Sequence, residues 1–348
     1  MTPRRAPRHR SLGRRLLFSI VPVTALLLVC ELVTRVVRAP LWFGSFREFR
    51  LDLVRRNYPA MLDDTLGYAP QPGFASHDNH WGTQVTIDGD GLRSNGDQPR
   101  PDGPLIVCVG DSFTFGDEVD DDQTWPAALE RLLDRPVRNG GVFGYSFTQT
   151  VLRGEQLLDR LQPQVLIVSL IADDLLRSCY SRRYTNLPIL DLDGDGLVLK
   201  GVPIDHAALP PDPARWWKDL LGHSALVDAV LANTCKQWWY EDQKQVVLPH
   251  LFRQLCPLGM RIVDRIDAAC RARGTRLLLV LQGGWRPDWI EPVLQHAVQQ
   301  GVQTLDLAAR VAELAERDPA LPGRYFRGHM TPAGNAWVAD EIAAALRE

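Results

Sequence analysis

From residue 105 onward the apolar positions follow two alternating rhythms. Short runs that are apolar throughout, at 105–109, 165–170 and 276–281, are separated by stretches in which apolar residues recur at helical spacing. The first run is rich in β-branched residues and bounded by Pro104 and Gly110, the signature of a buried strand. Shorter strands are expected at 137–139 and 302–306, and helices near 124–134, 147–161, 259–273, 288–300 and 332–346. Thr124, with Pro126 behind it, forms a helix-start signal. Strands without a polar face, spaced by helices, predict an α/β domain whose mainly parallel sheet is covered on both sides.

Two stretches break this rhythm. Residues 39–103 are rich in Gly, Pro, Asn and Asp and read as an irregular lead-in with strand-like pieces such as 84–87. Residues 177–257 read as an insertion. Within it, 188–199 predicts a hairpin around Gly194, Asp195 and Gly196. Asp191, Asp193 and Asp195 imitate the opening of a calcium loop, but the closing position holds Val202 instead of Glu, so a plain turn is expected. Trp216, Trp217, Trp238, Trp239 and Tyr240 fall on predicted helices and read as core, with a lid or acceptor-binding surface as the alternative.

The N-terminus adds a membrane element. Residues 16–30 are apolar and uncharged, and the stretch reaches residue 38 if Glu31 and Arg35 lie at the far interface. About 20 residues cross the hydrocarbon core. Six arginines precede the stretch and no small-x-small cleavage site follows it. The expectation is a basic cytoplasmic tail at 1–15 and a retained transmembrane signal anchor at 16–38. Positive-inside bias then makes this a single-pass protein of the cell inner (cytoplasmic) membrane, with the rest of the chain extracytoplasmic, or periplasmic.

Charge narrows the partners. The net charge is −3, yet residues 1–38 hold eight of the 39 basic residues and one of the 42 acidic ones. The remaining body carries 31 basic against 41 acidic residues, a balance that argues against nucleic acid. Cys30 belongs to the anchor and Cys108 to the first strand. Cys179, Cys235, Cys256 and Cys270 are left for one or two disulfides in an oxidising compartment. No Cys/His spacing suggests zinc, and no cofactor is implied.

Ser112, in Gly110-Asp111-Ser112, stands at the carboxyl end of the first strand, where open α/β sheets place their ligands. There a hydroxyl becomes a nucleophile if a base lies beside it. Three further segments accompany it: Asn139 to Ser146 around Gly144, Ile171-Ala172-Asp173-Asp174 after the third strand, and Gly328-His329 leading into Gly334-Asn335 before the last helix. In order and residue type these four segments resemble the SGNH/GDSL hydrolase family. In particular they resemble its membrane-anchored bacterial members, whose anchor ends in E-x-x-x-R, here Glu31 to Arg35. The resemblance spans roughly 60–176 and 259–348. It therefore implies an SGNH hydrolase domain at 104–348 with an insertion at about 177–257. The fold it implies is a flavodoxin-like three-layer α/β/α sandwich.

The same resemblance implies that Ser112 is the nucleophile and His329 the general base and acid. It assigns the oxyanion hole to the backbone N–H groups of Ser112 and Gly144 and to an Asn side chain. The pattern is broken in two places. Asp173 occupies the place of that Asn, and Phe326 and Arg327 stand where an Asp usually precedes the histidine. Asp318, Asp306 or a backbone carbonyl are candidates to orient His329, and Asp174 or an insertion residue to complete the oxyanion side. The activity implied is an extracytoplasmic serine esterase acting on O-acyl, chiefly acetyl, esters, with an ester or acylated glycan as substrate. An O-acyltransferase acting on cell-surface glycan and a catalytically degenerate binding module of the envelope are the alternatives.

Overall fold

The computed structural model describes residues 12–38, 44–46, 58–183, 185–194, 196–208, 215–239 and 245–347. The chain forms two compact units. One comprises Met1–Val54 with Pro210–Asp242, the other Arg55–Leu209 with Gln243–Glu348.

The larger unit is built on five strands: β1 Ile106–Val109, β2 Val137–Asn139, β3 Val165–Leu170, β4 Arg276–Leu281 and β5 Gln303–Asp306. They lie in the order β5-β4-β3-β1-β2, every neighbouring pair parallel. This is the flavodoxin-like order, with its switch point between β1 and β3. The pleat sorts each strand's side chains onto two faces. Val107, Val109, Leu166 and Val168 pack under the helices Phe147–Leu161, Leu255–Arg271 and Glu291–Gln299. Ile106, Cys108, Val165 and Ile167 pack against Trp125–Leu133 and Pro332–Arg347. The result is the expected three-layer α/β/α sandwich.

Local signals set most helix ends. Ser146 and Gln149 form a reciprocal cap that starts Phe147–Leu161 where the periodicity placed it. Thr124 caps Trp125–Leu133 by accepting from the Ala127 N–H. The helix expected at 259–273 instead runs Leu255–Arg271. Pro257 sits in its first turn, where no donor is needed, and Gly259 lies inside it because a Cβ there would come within 2.9 Å of Leu175 and Val293. The segment expected at 288–300 divides into a 3₁₀ turn, Asp288–Ile290, and the helix Glu291–Gln299.

In the lead-in, Leu66 and Tyr68 are buried against Val142, Tyr145, Leu152 and Leu187. The hairpin in the insertion pairs Ile189–Asp193 with Gly196–Lys200. The Asp191 carboxylate accepts from Lys200 Nζ at 2.7 Å, and Asp195 lies outside the described residues. All six cysteines are free, so the disulfides open to Cys179, Cys235, Cys256 and Cys270 in an oxidising compartment do not form; Cys108, Cys179 and Cys270 are buried.

The smaller unit contains the helix Leu12–Arg38, within which Phe18–Val37 is long and apolar enough to cross a membrane. Three short helices accompany it, Arg215–Leu221, Ala225–Thr234 and Lys236–Trp239. Of the tryptophans read as core, only Trp239 is buried, its indole N–H donating to Asp228 at 2.8 Å. Trp216, Trp217 and Trp238 are exposed, and Tyr240 lies outside the described residues.

Candidate active site

The chain leaves β1 through a turn with no room for side chains. A Cβ on Gly110 would fall 2.2 Å from Thr114 Oγ1 and 2.6 Å from the Ser169 carbonyl oxygen, so only glycine fits. Asp111 follows, fully buried, and caps the short helix Ser112–Phe115 by accepting from the Phe113 N–H at 2.9 Å. Ser112 opens that helix, at the carboxyl edge of the sheet beside the β1/β3 switch point.

His329 reaches the same place from the far end of the chain. It sits on a two-residue strand, His329–Met330, paired with Phe326–Arg327 around Gly328. The closing motif anchors this hairpin. Asn335 Oδ1 accepts from the Trp125 N–H at 2.9 Å, while its amide donates to the Met330 and Thr331 carbonyls. His329 Nε2 lies 3.0 Å from Ser112 Oγ. Nδ1 lies 3.2 Å from Glu118 Oε1. If Nδ1–H donates to that carboxylate, Nε2 is left as the acceptor for the serine hydroxyl. Asp111 Oδ2 competes for the same hydroxyl at 3.3 Å.

The partner of His329 is therefore neither Asp306 nor Asp318. Asp306 caps the helix Leu307–Arg317 and pairs with Arg286; Asp318 pairs with Arg324. Glu118 comes from the nucleophile's own loop, six residues after Ser112 and far from His329 in the chain. Arg93, from the lead-in, holds this loop. Its buried guanidinium donates to the carbonyls of Phe115, Gly116, Val119 and Gln84 and to Asp121. Glu118 itself has φ +65°, uncommon for a residue with a Cβ and retained where the surroundings impose it.

Besides Asp111, two further carboxyls near the site are buried, Asp117 and Asp174. Asp117 Oδ2 lies 3.6 Å from His329 Nε2, and among the described residues its other oxygen, Oδ1, has no hydrogen-bond partner. Burial pushes the Asp117 carboxyl well above the ordinary range; nearby Asp111 and Glu118 act the same way, against Arg93. Asp174 is raised by burial and by Asp111, and opposed by Arg177. Its carboxylate caps Ile171 N–H and accepts from Arg177 at 2.6 Å, and Arg177 also reaches Asp111 at 3.4 Å. Asp174 thus belongs to an ion-pair network behind the nucleophile.

Gly144 has φ +70°, and a Cβ there would come within 3.2 Å of Tyr68 Oη. The preceding Phe143 packs in an aromatic group with Tyr58, Trp81 and Phe115, and its carbonyl accepts from Tyr68 Oη at 2.8 Å. Among the described residues no hydrogen bond takes up the backbone N–H of Ser112 or Gly144. Asp173 lies half-buried in the first turn of Ala172–Arg177, just past β3. No described residue holds its carboxylate by a hydrogen bond or ion pair. No group of three His, Cys, Asp or Glu side chains is placed to hold a metal ion among the described residues.

No protein-family model matches the chain, and no curated protein is significantly similar to it. Solved structures that resemble it include a lipolytic protein of the G-D-S-L family and several esterases. A lipolytic protein of the G-D-S-L family from Desulfitobacterium hafniense shares 12% identity over 70% of this chain and 99% of its own, with a TM-score of 0.37. A psychrotrophic esterase from Pseudoalteromonas sp. shares 11% over 70% and 97%, at 0.39. An acetylxylan esterase from Geobacillus stearothermophilus shares 13% over 71% and 95%, at 0.38. At such identities and scores these likenesses add no weight to the strand order and side-chain geometry above.

Proposed function

We propose that this chain is a membrane-anchored serine esterase of the SGNH/GDSL type that hydrolyses O-acyl, chiefly acetyl, esters outside the cytoplasm. The observation that carries this reading is the line of contacts from Glu118 through His329 to Ser112, 3.2 and 3.0 Å long. Two groups of one loop, Ser112 and Glu118, meet His329 from the far end of the chain in the order nucleophile, base and orienting carboxylate.

In this reading Nε2 of His329 takes the Ser112 proton as Oγ attacks the acyl carbon. The Ser112 and Gly144 N–H groups receive the oxyanion. Collapse of the tetrahedral intermediate breaks the ester C–O bond, and His329 returns the proton to the departing alkoxide. Water, deprotonated by the same nitrogen, then releases the carboxylic acid and restores Ser112. Glu118 holds the productive tautomer and stabilises the imidazolium. Asp173, as a carboxylate, contributes no donor, so two backbone groups do the work shared by three in the family pattern.

The anchor reading rests on Phe18–Val37 and on the six arginines before it, which favour a cytoplasmic N-terminus. The test is turnover of a short-chain aryl acetate by the detergent-solubilised full chain. Ser112→Ala is expected to abolish it. Equal turnover by parent and variant refutes the serine mechanism. Acyl transfer to an added saccharide that exceeds hydrolysis replaces the esterase reading with the transferase one.

A further inference from the structure

The smaller unit carries its polarity inside out. Lys218 is fully buried, its ammonium 4.7 Å from the centre of the Trp238 ring, and Asp228 is buried on the Trp239 indole. Outward instead point Trp216, Trp217, Leu220, Val230 and Trp238, all 42–59% exposed. Among the described residues the chain exposes four tryptophans, and three of them lie here. A water-facing surface would turn the lysine out and the rings in.

Contacts along the anchor helix set the height of this surface. Glu31 accepts from Ser224 Oγ at 2.7 Å and from the N–H groups of Ala225 and Leu226 at 2.9 Å, so it caps the helix Ala225–Thr234. Arg35 pairs with Glu31 at 2.7 Å and donates to the His223 carbonyl. Cys30, Glu31, Thr34 and Arg35 are the partly covered face of the anchor helix, whose residues 18–29 are exposed all round. Glu31 lies six residues before the end of the apolar stretch Phe18–Val37, about 9 Å along the axis at 1.5 Å per residue. That is the depth at which an interfacial helix rests its apolar face. The two charges there are matched by each other and by helix-end groups, as charges near hydrocarbon must be.

We infer that the corner 215–239 lies in the headgroup layer of the membrane that the anchor spans, with Trp216, Trp217 and Trp238 facing lipid. This rests on the anchor reading above. Indole rings favour that layer because they are apolar in body and carry one N–H donor. Asp219, His223 and Asn233 remain exposed on the same corner, which suits a headgroup position and excludes the hydrocarbon core. The E-x-x-x-R pair thereby gains a role as the clasp that holds the corner at the interface.

The test uses the full chain with Trp42→Phe, so that the tryptophan just past the anchor does not contribute, in phosphatidylcholine vesicles brominated near the headgroup. Flotation with vesicles after a carbonate wash reads the anchor; quenching of tryptophan emission reads the corner. The expected result is flotation, quenching in the parent, and loss of most of that quenching in Trp216→Phe/Trp217→Phe/Trp238→Phe. Because Trp238 contacts Lys218, the double variant Trp216→Phe/Trp217→Phe provides a second measure and should lose part of the quenching. Flotation with undiminished or absent quenching overturns the lipid-facing corner while the anchor stands; a saccharide or protein surface then takes its place. Failure to float removes the anchor and the inference together.

Discussion

Glu118→Gln tests how His329 is held. The substitution keeps the shape but removes the charge 3.2 Å from Nδ1, and the new amide group can donate to Nδ1 and force the proton to Nε2. Nε2 can then no longer accept from Ser112. The attraction lost when the imidazolium forms, at that 3.2 Å separation, is about 1.3 kcal/mol in water and about 5 kcal/mol at an effective permittivity of 20. Glu118 is 46% exposed, so solvent screening favours the lower part of this range. A barrier increase of about 1.4–2.7 kcal/mol corresponds to roughly a ten- to hundredfold fall in rate. This is far below the roughly 10⁴-fold effect of neutralising a buried triad aspartate in the serine proteases. The assay is steady-state aryl acetate hydrolysis. The loss should appear in kcat with little change in KM, since Glu118 acts through His329 and not on substrate. Activity within about twofold of the parent refutes the assignment of Glu118 as the orienting carboxylate.

Three further outcomes follow from the same geometry. Asp117→Asn should flatten the pH dependence of stability. The folded protein keeps on Asp117 a proton that the unfolded chain releases above about pH 3.9, so the parent loses stability as pH rises from there. Melting curves of parent and variant should coincide near pH 4, with the variant the more stable at pH 8; parallel curves contradict this. Gly144→Ala should cost about 1–2 kcal/mol of stability for its left-handed backbone, read by denaturant unfolding, and should reduce kcat as well. Asp173→Asn should raise kcat, by up to about 10²-fold if the new amide reaches the oxyanion. An unchanged kcat places Asp173 away from it.

The helix and strand pattern was readable because it depends on local chemistry. Apolar runs bounded by Gly and Pro, and caps such as Thr124 and Ser146, act within a few residues of themselves. The Leu255–Arg271 helix starts four residues before the expected 259, with Gly259 inside it, where its small size serves contact with Leu175 and Val293, remote in the chain. The candidate site divides along the same line. Ser112 and His329 were legible because their motifs carry backbone requirements: Gly110 has no room for a Cβ, and Asn335 must tie the last helix to Trp125. Glu118 was not, because its role depends on a loop conformation imposed by Arg93 from another part of the chain. Whether Cys179, Cys235, Cys256 and Cys270 pair was not legible for a related reason, since composition sets how many thiols exist and not which of them meet.

The sequence by itself determined the parallel α/β architecture, the apolar N-terminal helix and the residue types at the two ends of the site. Each follows from periodicity or from sterics between close neighbours. Tertiary structure alone decided which carboxylate faces His329, which carboxyls are buried and raised, and which tryptophans point outward. These depend on pairs far apart in the chain, Ser112 with His329, Arg93 with Val119 and Glu31 with Ala225. Charge, burial and hydrogen-bond competition act through space, so such pairings exist only once the chain has closed on itself.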